Sequence, residues 1–422
     1  MTLVSQTVTP YQMFSKAVIY IFVFLIGLAF ASAHLDASPS QKQLTHLVWL
    51  LPLAFIIHPK VQISTDERRF VLFSALMFVS ALISFWLAGD VTSFQSLKSY
   101  WGYLLPIGLV VTLANIKVTC QGLYGLLILA AVMAFIVVVK DHLYGGVRGA
   151  HHGLAIPYGV MSASTGLLCL IFSFDRSVPR WLRAGLAIAF LLGMTAVVWS
   201  LTRGAWLFLL LWGVAFVGLG FLKEISLRRK IAAVFVLAAI FVALALSPAY
   251  KAIDKRVAQA YQQIEYYMSG KSANTSTGQR FELWKVAINT FAENPVLGAG
   301  RSGFLREKQA MNAEKEVKIR SWLEHAHNDV LWILATRGIL GLAAFVAFFA
   351  FLFNFYRRSL SNPDTRLAAY AGLTVCAGAL VYGLTDIFMS LKLTVGYFMI
   401  LNALLIRHII SQRNAAAPYA DD

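Results

Sequence analysis

Charge is what this sequence has least of. Of 422 residues only 13% are charged, whereas 59% are hydrophobic. A soluble globular domain carries about 25% charged residues. A chain of this length cannot cover itself in water with so little charge, and soluble folds are excluded. Acidic residues are the scarcer sign, 20 against 36 Lys and Arg, which leaves a net charge of +16. In a soluble protein that balance would suggest nucleic acid. In a membrane protein, basic loops follow from the positive-inside bias and need no nucleic-acid partner. Cysteine is nearly absent as well. Cys120, Cys169 and Cys376 stand far apart, in or beside apolar stretches, without CxxC or metal spacing. That excludes a disulfide framework and leaves buried, inert thiols.

What is present in excess is apolar sequence, with a mean hydropathy of +0.68. About 12 runs are long enough to cross roughly 30 Å of hydrocarbon. They lie near 15–34, 43–58, 70–89, 97–115, 121–140, 154–174, 182–201, 203–222, 231–248, 329–355, 366–386 and 391–410. The second is short, and the seventh and eighth are barely separated. Ala31-Ser32-Ala33 resembles a signal-peptidase site, but the leader before it is long and many spans follow, so the first run reads as a retained anchor. The expected fold is therefore an all-α polytopic membrane protein with one long, mainly helical outer segment. Residues 1–248 hold spans one to nine, 249–328 the outer segment, 329–410 the last three spans, and 411–422 a tail. Lys and Arg gather in alternate loops, among them Arg68 and Arg69, Lys223 to Lys230, and Arg357 and Arg358. By the positive-inside rule those loops and both termini face the cytoplasm.

The outer segment is too short for a large core of its own and is expected to fold back as a lid. Val257–Met268 reads as an amphipathic helix with Tyr261, Tyr266 and Tyr267 for the interface. Ser269–Thr277 reads as a flexible linker. Gln279–Asn294 shows a helical apolar stripe that Asn294-Pro295 ends. Gly298, Gly300 and Gly303 formally match G-x-G-x-x-G. A helix and Asn-Pro precede them where a dinucleotide site needs a strand. A Gly-rich turn bringing backbone N–H groups and Arg301 to an anion is the better reading. Met311–Arg320 has the mixed charge of a solvated face.

Four places resist a packing explanation. Arg203 lies in Ser200–Trp206 between two apolar runs, where an arginine either snorkels to headgroups or binds an anion. Arg280 stands near Glu282 and four residues before Trp284, with an exposed ion pair as the plain alternative. Arg148 sits among glycines in Tyr144–His152, otherwise a mobile polar loop. Glu324–Asp329 (EHAHND) precedes a long apolar helix. Its His325 and His327, two apart, suit a metal poorly, since helical zinc sites use i and i+4. A histidine here is a natural general base, with Glu324 or Asp329 to orient it. Asn328 can cap the following helix, whose N-terminus favours an anion. Interfacial structural histidines are the plain alternative.

These arginines and histidines share one membrane face, with few carboxylates and no D-x-D pair to hold a divalent metal. An Arg–phosphate pair at about 4 Å is worth roughly 4 kcal/mol at an effective dielectric near 20. Two or three arginines can therefore serve a diphosphate leaving group without a metal or other cofactor. The pattern points to glycosyl transfer from a polyprenyl diphosphate.

Thr202–Trp206 (TRGAW), Arg280 with Trp284, Asn294–Phe304 (NPVLGAGRSGF) and His325–Leu342 (HAHNDVLWILATRGILGL) together resemble the O-antigen ligase/polymerase superfamily. The resemblance implies a GT-C-like membrane glycosyltransferase of the bacterial inner membrane, with its site at the periplasmic face. The implied reaction is metal-independent and inverting. It moves O-antigen glycan from undecaprenyl diphosphate to lipid A–core in lipopolysaccharide biosynthesis. Arg203 and Arg280 match the family's diphosphate-binding arginines, and His327 its base, with His325 as the fallback. Arg148 and Arg301 have no firm motif match, and Asn328 and Trp284 support the site. The ligase is preferred because the related oligosaccharyltransferases are longer; a Wzy-type polymerase or an O-linked oligosaccharyltransferase is the alternative. A lipid-linked glycan transporter, the rival of another class, predicts charges inside several spans and an inverted repeat.

Overall fold

The computed structural model describes residues 27, 30, 63–89, 97–114, 118–143, 155–218 and 248–416. The expected spans near 15–34, 43–58 and 231–248 fall wholly or mainly outside these residues. So do Arg148 with most of its loop and the last six residues of the tail.

All regular structure among the described residues is helical. Numbered among them, the helices are α1 Thr65–Leu87, α2 Leu105–Ala114, α3 Cys120–Leu143, α4 Ala155–Ser173, α5 Arg180–Ser200 and α6 Arg203–Gly218. The connecting segment supplies α7 Pro248–Met268, α8 Ser276–Glu293 and α9 Gly300–Ala313. The chain then forms α10 Asp329–Ser359, α11 Pro363–Gly383 and α12 Lys392–Ala416. Seven of these are long and apolar enough to cross a membrane: α1, α3, α4, α5, α10, α11 and α12. The chain is a polytopic membrane protein. Run 97–115 becomes a single 3-10 turn, Trp101–Leu104, followed by the short α2.

Among the seven long described helices, two sit inside the bundle. α4 and α12 are enclosed on nearly every side, whereas α1, α3, α5 and α10 turn much of their surface outward. The enclosed pair carries the polar residues that an apolar medium would penalise. Thr165 of α4 meets the Tyr397 hydroxyl of α12 at 2.8 Å, and Tyr356 of α10 donates to Asn402 at 2.8 Å. Such interhelical bonds hold helices together where lipid offers no hydrophobic drive to associate.

α10 is the helix on which the site is built. The Asn328 side chain caps it, accepting from the Leu331 N–H at 3.0 Å. Asp329 favours its N-terminus, and Arg357 and Arg358 its last turn. The helix breaks at Gly338, whose φ is 61°. The break frees backbone groups inside the protein, and the 294–299 turn takes them up. Ile339 N–H donates to the Pro295 carbonyl at 2.8 Å, Leu340 N–H to Val296 at 3.1 Å, and Ala299 N–H to Ala335 at 2.9 Å. A Cβ on Gly298 would collide with the 336–338 backbone, and one on Gly338 with the Val296 carbonyl. These two glycines let backbone meet backbone.

The connecting segment has no core separate from the bundle. Leu283, Val286, Phe304, Met311, Val317 and Ile319 pack with Trp332 and Ala335 of α10. Met311–Arg320 is thus not only a solvated face: Met311, Val317 and Ile319 are buried between its exposed charges, and Ile319 N–H donates to Asn312 at 2.9 Å. The 269–277 stretch is tied down as well. Thr275 caps α8 through the Gly278 N–H at 3.0 Å, and Arg320 donates to Asn274 at 2.8 Å. In α7, Val257, Tyr261, Ile264 and Met268 form an exposed apolar stripe. Tyr267 faces the other way and donates to Glu282 at 2.8 Å.

Candidate active site

The residues just before α10 reverse the chain sharply. His327 adopts φ 49°, a left-handed conformation that non-glycine residues rarely take. Such backbone costs on the order of 1–3 kcal/mol, so the surroundings must hold it. Trp284 of α8 is one restraint, donating from its indole N–H to the Ala326 carbonyl at 3.0 Å. The Asn328 amide, donating to the Leu384 carbonyl at 3.3 Å, is another.

The His327 ring is set by a carboxylate from far along the chain. Its Nδ1 lies 3.0 Å from Oδ1 of Asp386, 59 residues on, in the strap between α11 and α12. Burial works to raise the Asp386 carboxyl. The hydrogen bond and charge of His327, with help from His325 and the Ile387 N–H, outweigh it and lower the group to about 2. Asp386 is therefore an anion at neutral pH. As an acceptor, it favours a proton on the facing Nδ1 of His327.

Sequence reasoning gives the orienting role to Glu324 or Asp329. Neither holds it. Glu324 forms an ion pair with Arg301, and Asp329 accepts the Met389 N–H at 2.8 Å. No local motif gives Asp386 away, because the contact depends on tertiary packing. Its one sequence signal is an acidic residue beside an apolar run in a chain short of acids.

The His325 ring lies tilted by 58° against that of His327, with ring centroids 4.1 Å apart. Burial, then the neighbouring His327, push it down to about 4, so it is neutral in the physiological range. Its Nδ1 is buried with no hydrogen-bond partner. Among the described residues, His325, His327 and Asp386 form the set that could hold a metal ion, one ligand atom each within 4.8 Å of one another. The charge around them is mixed: Arg280 and Arg301 act electrostatically on His325 against the Asp386 carboxylate.

Arg280 belongs to this neighbourhood. Burial lowers its guanidinium from the ordinary value, and the Asp386 charge acts the other way. The ion pair with Glu282 does not form. Glu282 is taken by Lys285 at 2.9 Å, Tyr267 at 2.8 Å and the Lys318 N–H at 3.0 Å. Arg203 opens α6 after a tight turn in which Leu201 has φ 51° and Thr202 donates to the Ala155 carbonyl at 2.9 Å. The neighbouring Gly204 packs on Thr385, where a Cβ would lie 2.5 Å from Oγ1. The N-terminus of α6 thus abuts the strap that carries Asp386. Arg301 is nearby but engaged by Glu324. Two amides of the Gly-rich turn are taken up within the protein: those of Gly298 and Ala299 bond to the Asn294 and Ala335 carbonyls. Arg148 lies outside the described residues.

The geometry is a histidine–carboxylate pair, Asp386 buried and His327 half-buried, flanked by guanidinium groups at one end of α10. Residues 187–346 match the family model described as O-antigen ligase. The match runs from α5 to the middle of α10 and includes Arg203, Arg280 and His327, while Asp386 lies beyond it. An uncharacterized protein of Haemophilus influenzae is 21% identical over 352 residues, 82% of this chain and 86% of its own. The resemblance to the O-antigen ligase superfamily, whose members are membrane ligases and polymerases of glycosyltransferase type, therefore stands.

Proposed function

We propose that this protein is an inverting glycosyltransferase that moves O-antigen glycan from undecaprenyl diphosphate to a sugar hydroxyl of lipid A–core. The observation that carries the reading is the His327–Asp386 pair, 3.0 Å apart, beside Arg280. Nε2 of His327 takes the proton of the acceptor hydroxyl as its oxygen attacks the anomeric carbon. The bond from that carbon to the diphosphate oxygen breaks, and undecaprenyl diphosphate leaves with the electron pair. Asp386 holds the imidazole in the right tautomer and stabilises the imidazolium. Arg203 and Arg280 bind the diphosphate and offset the charge that grows on it, the part a metal plays elsewhere. Trp284 and Asn328 fix the segment that carries the base, and residues 249–328 cover the site as a lid. His325, neutral and packed on His327, shapes the base. Placed in the inner membrane with its site at the periplasmic face, the enzyme meets donor and acceptor in one leaflet.

The test is product analysis in reconstituted vesicles containing the lipid-linked glycan and either lipid A–core or a second lipid-linked glycan as acceptor. The expected product is glycosylated lipid A–core, formed in EDTA and abolished in His327→Ala. Extension of the second lipid-linked glycan alone would make the protein a polymerase. Full activity of His327→Ala would remove the base assignment, and strict dependence on added metal the arginine mechanism.

A further inference from the structure

Two histidines two residues apart suit a metal poorly as a motif, yet the fold brings them together. At the chain reversal His327 holds φ 49°, and the two rings lie with centroids 4.1 Å apart. Asp386 adds a third donor from the strap between α11 and α12, its Oδ1 3.0 Å from Nδ1 of His327. One ligand atom from each of the three lies within 4.8 Å of the others. Zinc holds nitrogen and oxygen ligands at about 2.0–2.2 Å, so two of them stand roughly 3.3 Å apart around a tetrahedral ion. Side-chain shifts on the order of 1 Å close the difference. Nδ1 of His325 is buried without a hydrogen-bond partner, a state that costs stability until something pairs with it.

The donor set decides which cation can enter. Two imidazoles and one carboxylate suit borderline ions such as Zn²⁺. Mg²⁺ and Ca²⁺ need shells built mainly of oxygen, and a single carboxylate gives them little. Charge alone does not hold an ion here, because Arg280 acts on the cluster against Asp386. Arg301 is already engaged by Glu324. Binding must come from lone pairs donated to the metal, which again favours zinc over magnesium. A neutral imidazole has one lone pair to give. A metal on Nε2 of His327 takes it directly, and a metal on Nδ1 drives the ring proton to Nε2. In both cases nothing remains to accept the proton of a hydroxyl.

We propose that His325, His327 and Asp386 form an inhibitory site for a borderline divalent metal ion such as Zn²⁺, filled at the expense of the base function of His327. The inhibition rests on the proposed role of His327 as base; the metal binding does not. The full-length protein in detergent is titrated with Co²⁺, whose visible absorption reports a four-coordinate nitrogen–oxygen site, and then with Zn²⁺ in competition. Saturable Co²⁺ binding is expected, displaced by Zn²⁺ and not by millimolar Mg²⁺. His325→Gln is expected to weaken it at least about tenfold, since even the loss of a partner behind a ligand costs that much. In vesicles containing the lipid-linked glycan and lipid A–core, Zn²⁺ is expected to stop transfer by the native protein, with recovery in EDTA. His325→Gln should keep a larger share of its own metal-free rate at the same Zn²⁺. No saturable Co²⁺ binding, or binding of equal strength in His325→Gln, overturns the site. Undiminished or faster transfer with the site filled overturns the inhibition and leaves the binding. Should His325→Gln not fold, Asp386→Asn decides in its place: the same loss of affinity supports the site, and equal affinity overturns it. Binding lost in the variant, in a protein that transfers glycan to no acceptor, upholds the site and discards the glycosyltransferase reading.

Discussion

In the proposed reaction His327 and Asp386 divide the work of a base between them, and each half has its own signature. Replacing Asp386 by Asn keeps the shape but removes the anion that selects the tautomer. The expected loss in kcat is about 10²-fold or more, with donor affinity held, read from steady-state kinetics in vesicles. His325 gives a different signal. Its folded form titrates at about 4, whereas an unfolded histidine titrates near 6.5. The unfolded chain therefore binds this proton first as pH falls, so stability declines from about 6.5 down toward 4. His325→Gln should flatten that part of the profile, measured by thermal unfolding in detergent between pH 8 and 4. The two histidines and Arg280 were visible in sequence because each is a polar residue in a chain that has few. Asp386 was not, since only folding brings it across 59 residues to His327.

The break in α10 is the junction on which the site's elements depend. Gly338 holds φ 61° with the Val296 carbonyl against it, so Gly338→Ala meets both strain and collision. The expected result is a loss of more than about 1 kcal/mol, seen as a lower Tm, with transfer falling because α8 and α9 lose their seat. Helix positions were legible wherever apolar runs were long. Runs near 121–140, 154–174 and 182–201 became α3, α4 and α5 with ends moved by a few residues. The docking of Asn294–Ala299 into a broken helix was not legible. Its signal, a pair of glycines about forty residues apart, is a backbone-to-backbone fit that carries no periodicity. The same fit explains why the G-x-G-x-x-G match means packing here.

At the scale of the whole molecule, α10 sets the polarity. Its 31 residues rise about 1.5 Å each, more than the roughly 30 Å of a hydrocarbon core. The histidine segment at one end and Arg357 and Arg358 at the other must then lie on opposite sides. The proposed topology, following the positive-inside rule, has the arginine end in the cytoplasm. The three native cysteines are buried or half-buried, so single added cysteines report cleanly. In intact cells, an impermeant maleimide should label Ser269→Cys and spare Ser361→Cys; the reverse pattern would invert the topology. The chain order of the site has a further effect. His327 and both arginines precede Asp386, which arrives only with the strap after α11. Under the proposed reaction, a nascent chain that has threaded as far as α10 carries the diphosphate-binding arginines but not the anion that arms the base. An enzyme inserted only that far is slow to lose its donor to water, because Asp386 follows the other site residues in chain order.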